Sequence, residues 1–169
     1  GADILFVVDD SGSMDLHQQK LATNMPALAL ALKGKASLHA AVTTSSMTSP
    51  SSGCGTLCTD GKFITTPAVL TSDSQDFIAA LMKGIPAGTS GAGAEEFFTP
   101  VIAALTPPLS KTTNAGFLRE GSHLAVVMLT DAEDQSTLTP EQFVAGLETI
   151  KGKGNFTIYG FIIPIGVAN

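Results

Sequence analysis

Three apolar runs constrain this chain more than anything else in it: ILFVV from Ile4 to Val8, LAVVML from Leu124 to Leu129, and FTIYGFIIPI from Phe156 to Ile165. Each is rich in β-branched or aromatic residues and lacks polar alternation, the pattern of strands buried on both faces of a parallel sheet. Parallel strands need long crossovers, and helical stripes lie between the runs. Leu21, Met25, Leu28 and Leu32 recur at steps of four, three and four; Phe97, Phe98, Val101, Ile102 and Leu105 form a second stripe; Phe143, Val144, Leu147 and Ile150 form a third. Thr139 to Gln142 reads as a capping box with proline at the first helical position, and Ser72 to Gln75 as another box ahead of Phe77, Ile78 and Leu81. Pro26 removes a backbone bond to Ala22 and predicts a kink in the first helix. Ser37 to Thr44 reads as a further strand and Lys62 to Thr66 as a short one, with a Ser/Gly/Cys loop between them and a second loop from Pro107 to Gly121. Strands alternating with helices predict an α/β fold: a mostly parallel central sheet with helices on both faces. The 169 residues suit one domain, 1–169.

Composition narrows the partners. A net charge of -6 leaves no basic face to displace counterions from phosphates, which argues against nucleic acid. No apolar run is long enough to span a bilayer. The chain opens directly on a strand, as expected of a domain excised from a larger protein.

The first run ends in an acid pair, Asp9-Asp10, followed by Ser11-Gly12-Ser13-Met14. A phosphoryl-accepting receiver also ends its first strand in acids. It would further need a phosphoacceptor Asp at a later strand end and a Lys after another strand. Asp60 instead lies in the Ser/Gly/Cys loop, and the final strand carries no Lys. A divalent cation is the better reading. Asp9-x-Ser11-x-Ser13 alternates a carboxylate with two hydroxyls, which a tight loop over a strand end can aim at one point. Hard oxygen donors of low charge suit Mg2+ or Mn2+. The competing use of these residues is capping, by Ser13 or Asp15, of the helix that begins near Leu16. Asp131, in LTDAEDQS, ends a second buried strand, so two carboxylates reach the carboxyl edge of the sheet, where open α/β folds bind ligands.

AGTSGAGAEEFF then places Thr89 in a glycine-rich loop just before a helix. With DILFVVDDSGSM, GTSGAGAE and LTDAEDQS in that order, the chain resembles the von Willebrand factor A domain family and its metal-ion-dependent adhesion site over essentially its whole length. The resemblance implies a Rossmann-like sandwich of the integrin I-domain kind. In such a domain Ser11 and Ser13 coordinate Mg2+ (or Mn2+) directly, and Thr89 completes the direct set when ligand is bound. Asp9 and Asp131 act through water or as hydrogen-bond acceptors. The partner implied is a protein or cell-surface ligand that supplies a carboxylate. The chain departs from the pattern at Ser90-Gly91, where many members have a second Thr, and at Ala132, where Gly often stands; neither removes a ligand. It also stops at Asn169 without the C-terminal helix of switching members.

The DAEDQS run and the CGTLC loop resemble exported bacterial members, often parts of surface lipoproteins, and imply an extracellular or cell-surface location. Cys54 and Cys58, with no further Cys or nearby His, make a poor zinc site and a better small disulfide loop in an exported protein. Glu133 and Asp134 read as a solvated acidic loop, with a second cation as the alternative. Asp10 reads as a loop residue with a structural hydrogen bond, and Glu95 and Glu96 as acids favouring a helix N-terminus. Met14 and Met25 read as packing residues. His17, His39 and His123 share no motif, and no serine has a histidine in a comparable loop, so no enzyme is expected. The leading expectation is metal-dependent adhesion. Its rival is a similar domain acting as a scaffold in a larger assembly, without metal-dependent binding.

Overall fold

The computed structural model describes residues 1–32, 37–49 and 52–162, without the side chains of residues 22, 25, 28, 29, 32 and 162. Five strands form one sheet: β1 (Ala2–Val8), β2 (Leu38–Thr44), β3 (Leu70–Thr71), β4 (His123–Thr130) and β5 (Phe156–Ile162). Their order is β3-β2-β1-β4-β5, with every neighbouring pair parallel except β2 and β3. Four α-helices connect them: α1 (Asp15–Leu32), α2 (Phe77–Gly84), α3 (Phe98–Leu105) and α4 (Pro140–Lys151). Among the described residues no helix is long and apolar enough to cross a membrane.

The period-two alternation of β1 divides the core. Ile4, Phe6 and Val8 pack with Phe77 and Leu81 of α2, with Ile85 just after it, and with Leu21 of α1. Leu5 and Val7 pack with Val101 and Leu105 of α3 and with Phe143 and Leu147 of α4. Helices therefore cover both faces at β1, as its continuous apolar run predicts, and each fully buried Phe or Leu contributes about 1.5–3 kcal/mol. The reading of the β5 run is corrected, because β5 lies at the edge of the sheet with Ile158, Tyr159 and Phe161 exposed. The Phe98 and Phe143 rings stack at 4.5 Å, which fixes α3 against α4. Met14 is buried as expected, whereas Met25 and Ile163 to Ile165 lie outside the described side chains and residues.

Two local expectations are corrected. Lys62 to Thr66 is not a strand: Ile64 N–H donates to Val42 O at 2.9 Å, but Phe63 N–H is taken by Asn114 Oδ1 and Lys62 N–H by Thr59 O, so no ladder forms. The edge strand is instead Leu70–Thr71, antiparallel to β2. Ser72 to Gln75 does not cap α2, because the Ser72 hydroxyl accepts Leu38 N–H at 3.0 Å and the helix starts at Phe77. The Thr139 box forms as read, Thr139 Oγ1 accepting Gln142 N–H and Gln142 Oε1 accepting Thr139 N–H. α1 runs on through Pro26.

At the amino end of β1, Asp3 is fully buried against Arg119 Nε at 2.7 Å and Lys151 Nζ at 3.7 Å. Cys54 and Cys58 are joined by a disulfide and pack with Ala92.

Candidate functional site

The strand order places the site. From β1 the chain moves through α1 to β2 on one side, while β4 lies on the other, so the strand order reverses between β1 and β4. Ligands of open α/β sheets bind outside the carboxyl ends of the strands at such a reversal. Val8 is in register with Leu129, which brings Asp9 beside Thr130 and Asp131.

Asp9 is fully buried beneath the loop. Its Oδ1 accepts Ser11 N–H at 2.9 Å, its Oδ2 accepts the Thr130 hydroxyl at 2.8 Å, and its own N–H donates to Leu129 O. The carboxylate thus folds the loop back over the strand end. Ser11 Oγ then lies 3.0 Å from Ser13 Oγ, and Ser13 Oγ donates to Asp131 Oδ1 at 3.0 Å. Of the two capping candidates, Ser13 gives its hydroxyl to Asp131 instead, and Asp15 is itself the first residue of α1, its Oδ1 accepting from Gln19 Nε2 at 3.3 Å.

The donor set fits a small hard cation. Adjacent corners of an octahedron with bonds of about 2.1 Å lie about 3.0 Å apart, which is the spacing of Ser11 Oγ to Ser13 Oγ, while Asp131 Oδ1 stands behind Ser13 as its hydrogen-bond acceptor. Among the described residues no three His, Cys, Asp or Glu side chains converge where they could hold a metal ion. A cation here therefore depends on the hydroxyls.

Thr89 belongs to a neighbouring loop. That loop is clipped on one side by Gln18, whose Oε1 accepts Gly88 N–H at 3.0 Å and whose Nε2 donates to Gly88 O at 2.6 Å and to Asp9 O at 2.8 Å. On the other side Gly91 N–H donates to Asp10 O at 2.8 Å. Thr89, half-buried between the clips, makes no hydrogen bond to the other four predicted site residues. The structure brings Asp9, Ser11, Ser13 and Asp131 together and holds Thr89 on the adjacent loop.

Gln18 was not singled out from the sequence, yet a signal exists. It sits three residues before Leu21, on the stripe that Leu21, Met25, Leu28 and Leu32 continue, so it is a polar residue on the buried face of α1. Thr130 was likewise missed.

Asp10 carries the structural role expected of it. Its Oδ1 accepts from Ser46 Oγ at 2.7 Å and Ser45 Oγ at 3.3 Å, and Ser46 Oγ in turn accepts Ala92 N–H at 2.7 Å. Burial raises its carboxyl above the ordinary 3.8, against the lowering effect of hydrogen bonds led by Ser46. The folded state therefore binds this proton more tightly than the unfolded chain. Asp10 supports stability below pH 3.8 and loses that contribution as pH rises through its folded value. In chelator, the urea midpoint of Asp10→Asn is expected to gain on that of wild type across this window. A constant difference would show that the buried carboxyl does not govern the trend.

Two acidic readings are corrected. Asp134 is not a solvated acid: its Oδ1 accepts Phe97 N–H at 2.7 Å and, with Ser136 Oγ, caps the start of α3. Glu133 alone remains exposed there. Glu95 does not serve the helix N-terminus, because α3 begins at Phe98 and is capped from the Asp134 loop. Glu95 is 8% exposed, and its Oε2 accepts Gln135 Nε2 at 2.6 Å. Its carboxyl is raised above 4.5, first by burial, then by the negative charge of Asp9, with a further push from Asp131; hydrogen bonds, one shared with Ser11, oppose this.

No family model and no curated protein matches this sequence. Solved structures do. A von Willebrand factor type A protein from Catenulispora acidiphila superposes with a TM-score of 0.50 at 17% identity, covering 95% of this chain and 32% of that one. Proximal thread matrix protein 1 from the mussel byssus superposes with a TM-score of 0.53 at 13% identity, covering 95% of this chain and 37% of that one. The chain thus spans about a third of the length of the structures it matches. At these identities the likeness is one of fold: the chain has a von Willebrand factor A-type fold, a Rossmann-like mostly parallel sheet between helical layers.

Proposed function

We propose that this chain is a metal-dependent interaction module. A Mg2+ or Mn2+ ion at the carboxyl edge of β1 and β4 would accept a carboxylate from a protein or cell-surface ligand. The observation that carries this reading is the line of oxygens Ser11, Ser13 and Asp131, spaced at 3.0 Å over the buried Asp9. Ser11 and Ser13 would hold the ion through their hydroxyls. Asp9 fixes the loop by accepting Ser11 N–H, and Asp131 orients Ser13. Thr89, on the loop clipped by Gln18, stands as the residue that would join when ligand binds. Such an ion supplies an open, electrophilic position because two of its donors are neutral hydroxyls. The Cys54–Cys58 disulfide supports placement on an exported or cell-surface protein.

Calorimetric titration of Mn2+ and Mg2+ into chelator-stripped protein, beside Ser13→Ala, tests the reading. Saturable binding to wild type, weakened by roughly ten- to a hundredfold or lost in the variant, is expected. The variant should keep its circular dichroism, because Ser13 is exposed at the sheet edge.

One observation favours the scaffold alternative. The Ser11, Ser13 and Asp131 chain is satisfied by its own hydrogen bonds, so this edge can stand without an ion and serve as a structural contact in a larger assembly. Equal partner capture in EDTA and in Mg2+ would select that alternative.

A further inference from the structure

We propose that β5 is an interface strand that pairs antiparallel with β5 of a second copy of this chain, joining two five-stranded sheets across a two-fold axis. The two edges of the sheet are unlike. One ends in β3, whose two residues offer little for another strand to pair with. The other ends in β5, whose seven residues, Phe156–Ile162, include no charge and no proline. Shortness, charge and proline are the usual protection of a sheet edge, and β5 has none of them.

The backbone decides which groups face outward. Asn155 O accepts Leu124 N–H at 3.0 Å. Bonding alternates along a parallel ladder, so Thr157, Tyr159 and Phe161 turn their N–H and C=O groups to β4. Ile158 and Gly160 turn theirs away from it, and among the described residues no strand lies beyond β5. Such a row of outward donors and acceptors is a template for another strand.

The side chains select a second copy as that strand. Ile158, Tyr159 and Phe161 are 36%, 49% and 60% exposed. Phe161 borders a cleft lined by His17 and Leu21 of α1, which puts Tyr159 and Phe161 together on the α1 face. An antiparallel pair centred on Tyr159 sets each Ile158 opposite the other copy's Gly160 as hydrogen-bonded partners, so the isoleucine covers a position without a side chain. The two Tyr159 residues become a non-hydrogen-bonded pair, the closer kind, and each Phe161 lies diagonal to the other copy's Tyr159. The strand is thus its own complement, with aromatic residues against aromatic residues and bulk against glycine. The pairing is also closed: it uses both β5 edges and leaves the short β3 strands outermost, so assembly stops at two copies.

The test is sedimentation velocity of the whole chain in EDTA, which keeps the result independent of any metal, over a roughly hundredfold range of concentration. Wild type is expected to pass from one copy to two. Leu57→Lys, which puts a charge on an exposed leucine of the Cys54–Cys58 loop, is expected to match it. Tyr159→Lys and Tyr159→Glu are each expected to raise the dimer Kd by about tenfold or more, because the two-fold axis sets like charges face to face. Mixing the two variants is expected to restore the dimer. The proposal is overturned by wild type that stays a single copy, by a dimer that neither Tyr159 variant weakens, by a mixture no tighter than its components, or by growth beyond two copies. Amide exchange on wild type needs no variant and decides the matter if a substitution prevents folding. Ile158 and Gly160 are expected to exchange more slowly as concentration rises, and rates independent of concentration overturn the pairing.

Discussion

Asp3→Ala is expected to cost about 3–5 kcal/mol of folding stability, read as a lower denaturant midpoint. Asp3 has no exposed surface. It accepts Arg119 Nε at 2.7 Å, Arg119 N–H at 2.9 Å and the Ser122 hydroxyl, and it faces Lys151 Nζ at 3.7 Å. Truncation would leave two cations sharing one neutral pocket. Arg119 would keep its bonds to Ala2 O and Ser37 O, and Lys151 its bonds to Arg119 O and Ser122 Oγ, so the fold should survive with reduced stability. Asp3 and Asp9 stand at opposite ends of β1, about 20 Å apart for six strand residues. Any metal affinity should therefore be unchanged in Asp3→Ala. A loss below about 1 kcal/mol would mean that water replaces the aspartate without penalty.

Gly91→Ala is expected to act at the other end of the sheet. An added Cβ would fall on the Asp10 carboxyl and on Ser46 Oγ, and both are held: Ser46 Oγ donates to Asp10 Oδ1 and accepts Ala92 N–H. Neither is the free end of a flexible side chain, so the loop backbone must give way. The expected cost lies near the top of the range of about 1–3 kcal/mol for overpacking. Because Gly91 N–H bonds Asp10 O, displacement should carry Thr89 away from the strand end. Thermal unfolding measures the first effect. Amide exchange at Gly88 and Gly91 measures the second, and wild-type protection in the variant would show that the loop absorbs a methyl without moving.

The sheet and its two helical layers were legible because β1 and β4 are buried on both faces and so carry unbroken apolar runs. β3 was not legible: two residues contain no period, and the more strand-like Lys62 to Thr66 had its N–H groups drawn off by Asn114 and Thr59. Ser72 failed as a cap for a similar reason, its hydroxyl being used by β2. Within the site, the local motif Asp9, Ser11 and Ser13 was visible because its spacing is its geometry. Long-range partners leave no such trace. Arg119 meets Asp3 across 116 positions, and Glu95 finds Gln135 across 40. The neighbourhood of Glu95 in the sequence suggested a helix terminus, whereas tertiary contacts hold its carboxylate against Gln135. Gln18 is intermediate: it was readable as a polar interruption of an apolar stripe, but its clasp on Gly88 follows only from how α1 crosses the strand end.

The disulfide carries a practical consequence for anyone preparing this protein. Cys54 and Cys58 pack against Ala92, the residue next to Gly91 and bonded to Ser46. A covalent strap thus leans on the loop that flanks the carboxyl edge of β1 and β4. Protein made in a reducing cytoplasm and protein folded under oxidation would present that loop with different support. Thiol content is accordingly the first quality check before affinities from two batches are set side by side.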